Sequence, residues 1–172
     1  MNIFLIGPMG VGKTTVGRHL ATILNLTFKD SDQEIEDRTG ASIPLIFELE
    51  GEEGFRKREQ AIIAELTVLP EIILATGGGT VLSAENRHCL QSRGYVIYLH
   101  APVKYLMERT AHSRNRPLLQ TDNPKERLEQ ILSERYALYK MVADVTIETG
   151  QRTIRQVIKQ IIKHLEKPEK QL

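Results

Sequence analysis

Gly7-Pro8-Met9-Gly10-Val11-Gly12-Lys13-Thr14 places glycines, a lysine and a hydroxyl at a spacing suited to phosphate chemistry. Gly, four residues, Gly, Lys and Ser/Thr is the pattern of a loop whose backbone N–H groups close around phosphate oxygens. Glycine leaves that approach open where a side chain would obstruct it. Lys13 is placed to reach the β- and γ-phosphates, and the Thr14 hydroxyl to ligate Mg²⁺. The apolar run Ile3-Phe4-Leu5-Ile6 before the loop suits a buried strand, and Val16, Leu20 and Leu24 after it recur at helical spacing. A helix beginning there turns the positive end of its dipole toward the same anion. Together these residues point to a nucleoside triphosphate as ligand.

A second group of residues could handle an acceptor. Asp30-Ser31-Asp32 stands at the end of the second expected strand, and in an extended segment its two carboxylates project to one side. One can then serve a metal's water shell and the other meet an acceptor hydroxyl; alternatively, Asp and Ser here cap a helix. The third strand, Ile72-Ile73-Leu74-Ala75-Thr76, ends without an Asp, which leaves Asp30 as the candidate for Mg²⁺. It also ends without an evident water-activating carboxylate, and no Asn-Lys-x-Asp motif for reading guanine is present. Transfer to a bound hydroxyl fits better than hydrolysis. Gly77-Gly78-Gly79 then admits a small polar molecule close to the backbone, or serves as a flexible turn before a helix. Arg56 lies three residues before Glu59, at ion-pairing distance on a helix, and Arg135 shares the face of Leu128, Ile131 and Leu132. Either arginine can grip a carboxylate bidentately or close an internal salt bridge. With Asp32 they describe a pocket for a hydroxy acid.

The elements that must position these groups alternate. Strands are expected near 2–6, 27–30, 71–76, 95–99 and 144–148. Helices are expected near 13–25, 31–39, 43–50, 52–68, 83–92, 102–111, 124–140 and 152–166. The last carries a clear stripe of Ile154, Val157, Ile158, Ile161, Ile162 and Leu165. This alternation implies a mostly parallel α/β sheet with helices on both faces and ligands at the carboxyl ends of the strands. The stretch 112–123, with Arg114, Arg116 and Pro117 and little apolar periodicity, reads as a mobile loop near phosphates.

Composition bounds the rest. A chain of 172 residues is most simply one domain, and 23 basic against 22 acidic residues, a net charge of +1, leave no nucleic-acid footprint. Cys89 is the lone cysteine, so no internal disulfide forms, and beside His88 it reads as a semi-buried thiol rather than a metal site. With no leader pattern and no apolar run long enough to span a bilayer, a cytoplasmic protein without a membrane partner is expected.

These motifs, with Gly-Glu-Glu-Gly-Phe-Arg at 51–56, Arg-Pro-Leu-Leu at 116–119 and Glu-Arg-Tyr-Ala-Leu-Tyr at 134–139, resemble the shikimate kinase family of P-loop kinases. They occur in family order over nearly the whole chain. The resemblance implies a three-layer α/β/α fold with a five-stranded parallel sheet in order 2-3-1-4-5. It also implies a substrate-binding segment at about 32–60 and a lid at about 112–123. The implied reaction is transfer from ATP to the 3-hydroxyl of shikimate, with Mg²⁺, by a monomer. Carried over to this sequence, Gly10, Val11, Gly12, Lys13, Thr14 and Thr15 wrap the phosphates, Thr14 ligates the metal and Asp30 supports its shell. Asp32 and Gly78 contact shikimate hydroxyls, and Arg56 and Arg135 hold the carboxylate. Gly79, Phe47, Phe55, Glu59 and Leu118 line or support that pocket. Lys13, Asp32 and Arg116 are the implied catalytic groups, with Arg116 reaching over the transferring phosphate from the lid. Arg109 and Arg152 resemble the adenine-side residues, although Ile154 stands where some relatives carry proline. Gluconate kinases and nucleotide kinases share the phosphate loop, but the triple glycine and the Phe55-Arg56 pair favour shikimate. A regulatory protein without catalysis would have no need of Lys13, Asp32, Arg116 and both arginines together.

Overall fold

A computed structural model describes residues 1–110 and 121–167 of the chain. Five strands are seen among them: β1 (Ile3–Ile6), β2 (Thr27–Asp30), β3 (Ile72–Ala75), β4 (Tyr95–His100) and β5 (Val145–Glu148). All pair in parallel, in the order β2-β3-β1-β4-β5, as the resemblance implies. Seven helices surround them: α1 (Lys13–Leu24), α2 (Ser31–Thr39), α3 (Ile43–Leu66), α4 (Ala84–Arg93), α5 (Val103–Thr110), α6 (Pro124–Val142) and α7 (Ile154–Glu166).

Strand side chains alternate between the two faces of the sheet, and the core divides accordingly. Ile3 and Leu5 of β1 enter one cluster with Ile73, Ile97, Leu99 and Ile147. Val16 and Leu20 of α1, Leu106 of α5 and Val157, Ile158 and Ile161 of α7 cover that face. Phe4 and Ile6 point the other way, with Leu74, Val96 and Tyr98, against Ile35 of α2, the apolar face of α3 and Leu90 of α4. Each large apolar side chain so buried stabilises the fold by about 1.5–3 kcal/mol. Helix α6 serves both clusters, Leu128 and Ile131 on one side and Tyr139 and Val142 on the other, so Arg135 between them is carried to the sheet's edge while buried.

Four places test the sequence-based reading. The helices expected at 43–50 and 52–68 run on as α3 but are broken at the expected residue, Gly51, whose φ 71° and ψ 179° are not helical. β2 ends at Asp30 and α2 begins at Ser31, as expected, and of the two readings of Asp30-Ser31-Asp32 the helix cap holds rather than the extended segment. The chain after the triple glycine is a single 3-10 turn, Thr80–Leu82, rather than a flexible link. Ile154 leaves the buried stripe of α7 and is 40% exposed, because the first residue of that helix faces a cavity instead of the core. No helix among the described residues is long and apolar enough to cross a membrane.

Candidate active site

The carboxyl ends of β1, β2 and β3 open into a cavity of about 500 Å³. Its floor is the loop joining β1 to α1. Gly7, Gly10 and Gly12 adopt φ of 146, 82 and 102°, a region that side chains strain to reach. Gly12 caps α1 without a side-chain hydrogen bond, and no acidic residue sits in the first turn, so the helix's positive end faces the loop unopposed. Lys13 Nζ donates to the carbonyls of Gly7 at 2.6 Å and Pro8 at 2.9 Å, which lays the ammonium across the mouth of its own loop. Arg109 Nη1 donates to the Val11 carbonyl at 2.9 Å and thereby ties α5 to the same loop. The Val11 side chain itself is buried in the core.

Thr14 and Asp30 meet on one wall. The Thr14 hydroxyl donates to Asp30 Oδ2 at 2.7 Å, while Asp30 Oδ1 accepts from the N–H groups of Asp32 and Gln33 at the start of α2. Asp30 is therefore the helix cap and the partner of Thr14 at once, through different oxygens. With its proton committed to Asp30, Thr14 Oγ1 keeps lone pairs for a cation. A hydroxyl and a carboxylate are the hard oxygen donors that Mg²⁺ takes when phosphates and water complete its shell. Among the described residues there is no cluster of three or more His, Cys, Asp or Glu that could hold a metal. That donor set fits an ion brought in with a nucleotide.

Asp32, one residue into α2, lines the same cavity as Lys13, beside the turn of Gly77, Gly78 and Gly79. These glycines have ordinary φ, and what they provide is room. A Cβ on Gly77 would lie 2.9 Å from both Asp32 Oδ1 and Glu59 Oε2. One on Gly78 would lie 3.6 Å from Arg135 Nη1, and one on Gly79 would lie 2.6 Å from Arg56 Cζ. The turn is thus the surface on which the acceptor-side charges rest. Arg56 Nη1 donates to Glu59 Oε1 at 2.9 Å, and Glu59 is 1% exposed, so the ion pair expected from the i, i+3 spacing forms with its carboxylate inside the protein. Phe55 is buried beside Phe47, with ring centroids 4.9 Å apart, and supports the arginine from below. From α6, Tyr139 donates its hydroxyl to the Gly78 carbonyl at 2.5 Å. Burial pushes the Tyr139 pKa up to about 12 against the opposing pull of Arg135, so this donor stays protonated through neutral pH.

A second cavity of about 200 Å³ adjoins the loop on its other side. Val11, Gly12, Thr15, Arg109, Arg152 and Ile154 all line it, so the structure brings the two adenine-side arginine candidates together. Arg152 Nη1 donates to the Glu148 carbonyl at 3.1 Å.

Of the expected site residues, Gly10, Gly12, Lys13, Thr14, Thr15, Asp30, Asp32, Gly78 and Arg109 line the larger cavity. Arg56, Glu59, Gly79 and Arg135 adjoin it through the glycine turn. Arg116 and Leu118, with most of the stretch expected to be a lid, lie outside the described residues. Sequence reasoning missed Met9, Gln33, Glu36, Ile43 and Thr76 on the walls. Glu36 lies three residues after Gln33 and four after Asp32, so the three share one face of α2, a signal already present in the helix expected at 31–39.

A family model described as shikimate kinase matches residues 9–166. A shikimate kinase of Nitrosococcus oceani is 60% identical over 164 residues, 95% of this chain and 86% of its own length. One of Methylococcus capsulatus is 57% identical over 96% of this chain and 93% of its own length. Among solved structures, shikimate kinase from Acinetobacter baumannii in complex with shikimate superposes with a TM-score of 0.93 at 52% identity, covering 95% of this chain and 92% of that one.

Proposed function

The chain belongs to the shikimate kinase family, and from that premise we propose how its own residues carry the reaction. The protein phosphorylates shikimate with ATP, giving shikimate 3-phosphate and ADP on the way to chorismate and the aromatic amino acids. The assignment of roles is supported above all by one juxtaposition: Lys13, Thr14, Asp32 and Gly78 line a single cavity, with the Arg56–Glu59 pair against the glycine turn.

In this reading the loop from Gly10 to Thr15 takes the triphosphate, and Arg109 and Arg152 flank the base in the smaller cavity. Exposed Ile154 offers the base an apolar contact at its mouth. Shikimate lies against the glycine turn, its carboxylate toward Arg56 and Arg135 and its 3-hydroxyl toward Asp32. A loose phosphoryl transition state leaves the protein mainly to position and to offset charge. Asp32 orients the acceptor hydroxyl and takes its proton. Lys13 leaves its loop carbonyls for the bridging and γ oxygens, and Arg116 meets the same oxygens, where preorganised cations stabilise developing charge. Mg²⁺, carried by Thr14 with Asp30 behind it, would neutralise charge on the β- and γ-phosphates. Leu118 completes the acceptor pocket, the substrate-binding segment comprises about 32–60, and a lid at about 112–123 closes over both ligands. The working unit is taken as a cytoplasmic monomer of one domain, which sedimentation of the purified protein tests.

ADP release measured with shikimate, quinate, gluconate or a nucleoside monophosphate tests the acceptor. Shikimate is expected to be strongly preferred, and removal of Mg²⁺ with a chelator to abolish turnover. Comparable turnover with gluconate would overturn the acceptor pocket as drawn, and undiminished turnover without Mg²⁺ the role given to Thr14 and Asp30.

A further inference from the structure

The Arg56–Glu59 pair does not end at Glu59. Its second oxygen, Oε2, accepts a hydrogen bond from Thr80 Oγ1 at 3.0 Å. Thr80 is fully buried and is itself fixed on both sides. Its N–H donates to the Gly77 carbonyl at 3.2 Å, and its carbonyl accepts from Asn86 Nδ2 at 3.0 Å. Asn86, 1% exposed, lies in the first turn of α4, where its own N–H is capped by Ser83 Oγ at 3.2 Å. A continuous buried line therefore runs from α4 through Thr80 and Glu59 to the guanidinium of Arg56.

We infer that Thr80 is a positioning residue for recognition of the acceptor's carboxylate, acting through Glu59 on Arg56. This rests on the reading in which Arg56 holds that carboxylate. The physical reason is restriction of rotation. A buried carboxylate with one oxygen on Arg56 and the other on Thr80 cannot turn without leaving one of them unmatched, which is costly away from water. If the Thr80 hydroxyl is removed, Glu59 keeps its charge and its bond to Arg56 but loses the anchor that sets its angle. Arg56 is also bounded from beneath, because its guanidinium rests on the backbone of Gly79, the residue before Thr80. One short turn thus seats the arginine and, a residue later, orients the arginine's partner. Bidentate recognition depends on the direction of a planar fork and not only on its charge.

The test compares Thr80→Val, which keeps the volume, and Thr80→Ala with Thr80→Ser, in steady-state turnover and in thermal melting. For the valine and alanine variants the shikimate KM is expected to rise about tenfold, the scale of one disturbed charge-assisted hydrogen bond. Their kcat should stay within about twofold and their ATP KM unchanged, and Thr80→Ser, which restores the donor, should return the shikimate KM to the wild-type value. An acceptor analogue with a neutral amide in place of the carboxylate should bind wild type and Thr80→Val alike. An unchanged shikimate KM would overturn the inference. So would an equal penalty on the amide analogue, a general fall in kcat with both KM values raised, or loss of folding in both hydroxyl-less variants, since each marks Thr80 as structural support alone. Wild-type protein inactive toward shikimate would instead refute the reaction itself, a separate result.

Discussion

Gly12, in the loop that lines the cavity, and Gly79, in the turn that adjoins it, are glycines for opposite reasons. Gly12 has φ 102° and open space around it, the nearest atom to an added Cβ being Arg109 Nη1 at 4.0 Å. Gly79 has φ −98° and ψ 6°, open to any residue, but an added Cβ would fall on the Arg56 guanidinium. At the phosphate end glycine supplies a backbone conformation, and at the acceptor end it supplies room. The first end is held mainly by its own loop, with Lys13 bonded to Gly7 and Pro8 and Val11 N–H to Pro8, besides the bonds of Arg109 to the Val11 carbonyl and of Thr14 to Asp30. The second is held from three elements distant in sequence: Glu59 of α3, Tyr139 of α6 and, through Ser31 Oγ on Gly77 N–H, α2. An end held mainly by its own loop should lose chemistry when one of its groups is removed, and a borrowed end should lose selectivity for its ligand.

The largest effect expected from that contrast is at Lys13. Lys13→Ala should lower kcat by at least ~100-fold, about 2.7 kcal/mol of barrier, with the shikimate KM little changed. The charge that stabilises the transferring phosphate is gone while the acceptor end keeps all its supports. Turnover within a few-fold of wild type in a stopped or coupled assay would remove Lys13 from the transition state.

Next comes the crossed pair. Gly12→Ala forces a side chain into left-handed backbone, at about 1–2 kcal/mol, and should weaken ATP binding while shikimate binding measured alone holds. Gly79→Ala needs no backbone strain but pushes Arg56 aside, and should weaken shikimate by about tenfold while ATP holds. Calorimetric titration of each ligand into each variant checks both arms. If Gly79→Ala weakened ATP as much as shikimate, the two turns would form one coupled unit and the contrast would fail.

The same contrast explains what could be read from the sequence. The phosphate loop was readable because its backbone conformations and its lysine lie within eight residues, between a strand and a helix with clear apolar periods. The Arg56–Glu59 pair was readable because it is one helical turn. The sheet order matched the family resemblance, not a signal in the strands themselves. Thr80 and Asn86 left no trace and Tyr139 entered only as the last residue of a family motif, since each acquires its meaning only when distant elements pack around Gly77–Gly79. Asp30 and Asp32 were readable only as alternatives, carboxylates of an extended segment or a helix cap, and the second holds: Asp30 caps α2, and the helical turn after it brings Asp32 to the wall.

The smallest expected effect tests whether the acceptor turn is held from outside. Tyr139→Phe removes a buried donor from the Gly78 carbonyl and should cost about 1 kcal/mol of stability at neutral pH, with no comparable effect on ATP binding. Its pH dependence carries the sharper sign. Burial raises the Tyr139 pKa to about 12, with Arg135 and Arg56 opposing and Glu59 adding, against about 10 for an unfolded tyrosine. The unfolded chain therefore gives up its proton first, and stability present below pH 10 is lost as pH rises toward 12. At pH 11 that loss is on the order of 1 kcal/mol from this residue. Tyr98, stacked on Tyr139 with centroids 4.9 Å apart and also raised by burial, contributes in the same window and is common to both proteins. The stability gap between wild type and Tyr139→Phe, from urea midpoints, should therefore narrow between pH 9 and pH 11. A gap that stayed constant would mean that Tyr139 reaches water in the folded state, and that the Gly78 carbonyl is held by its own turn, as at the phosphate end.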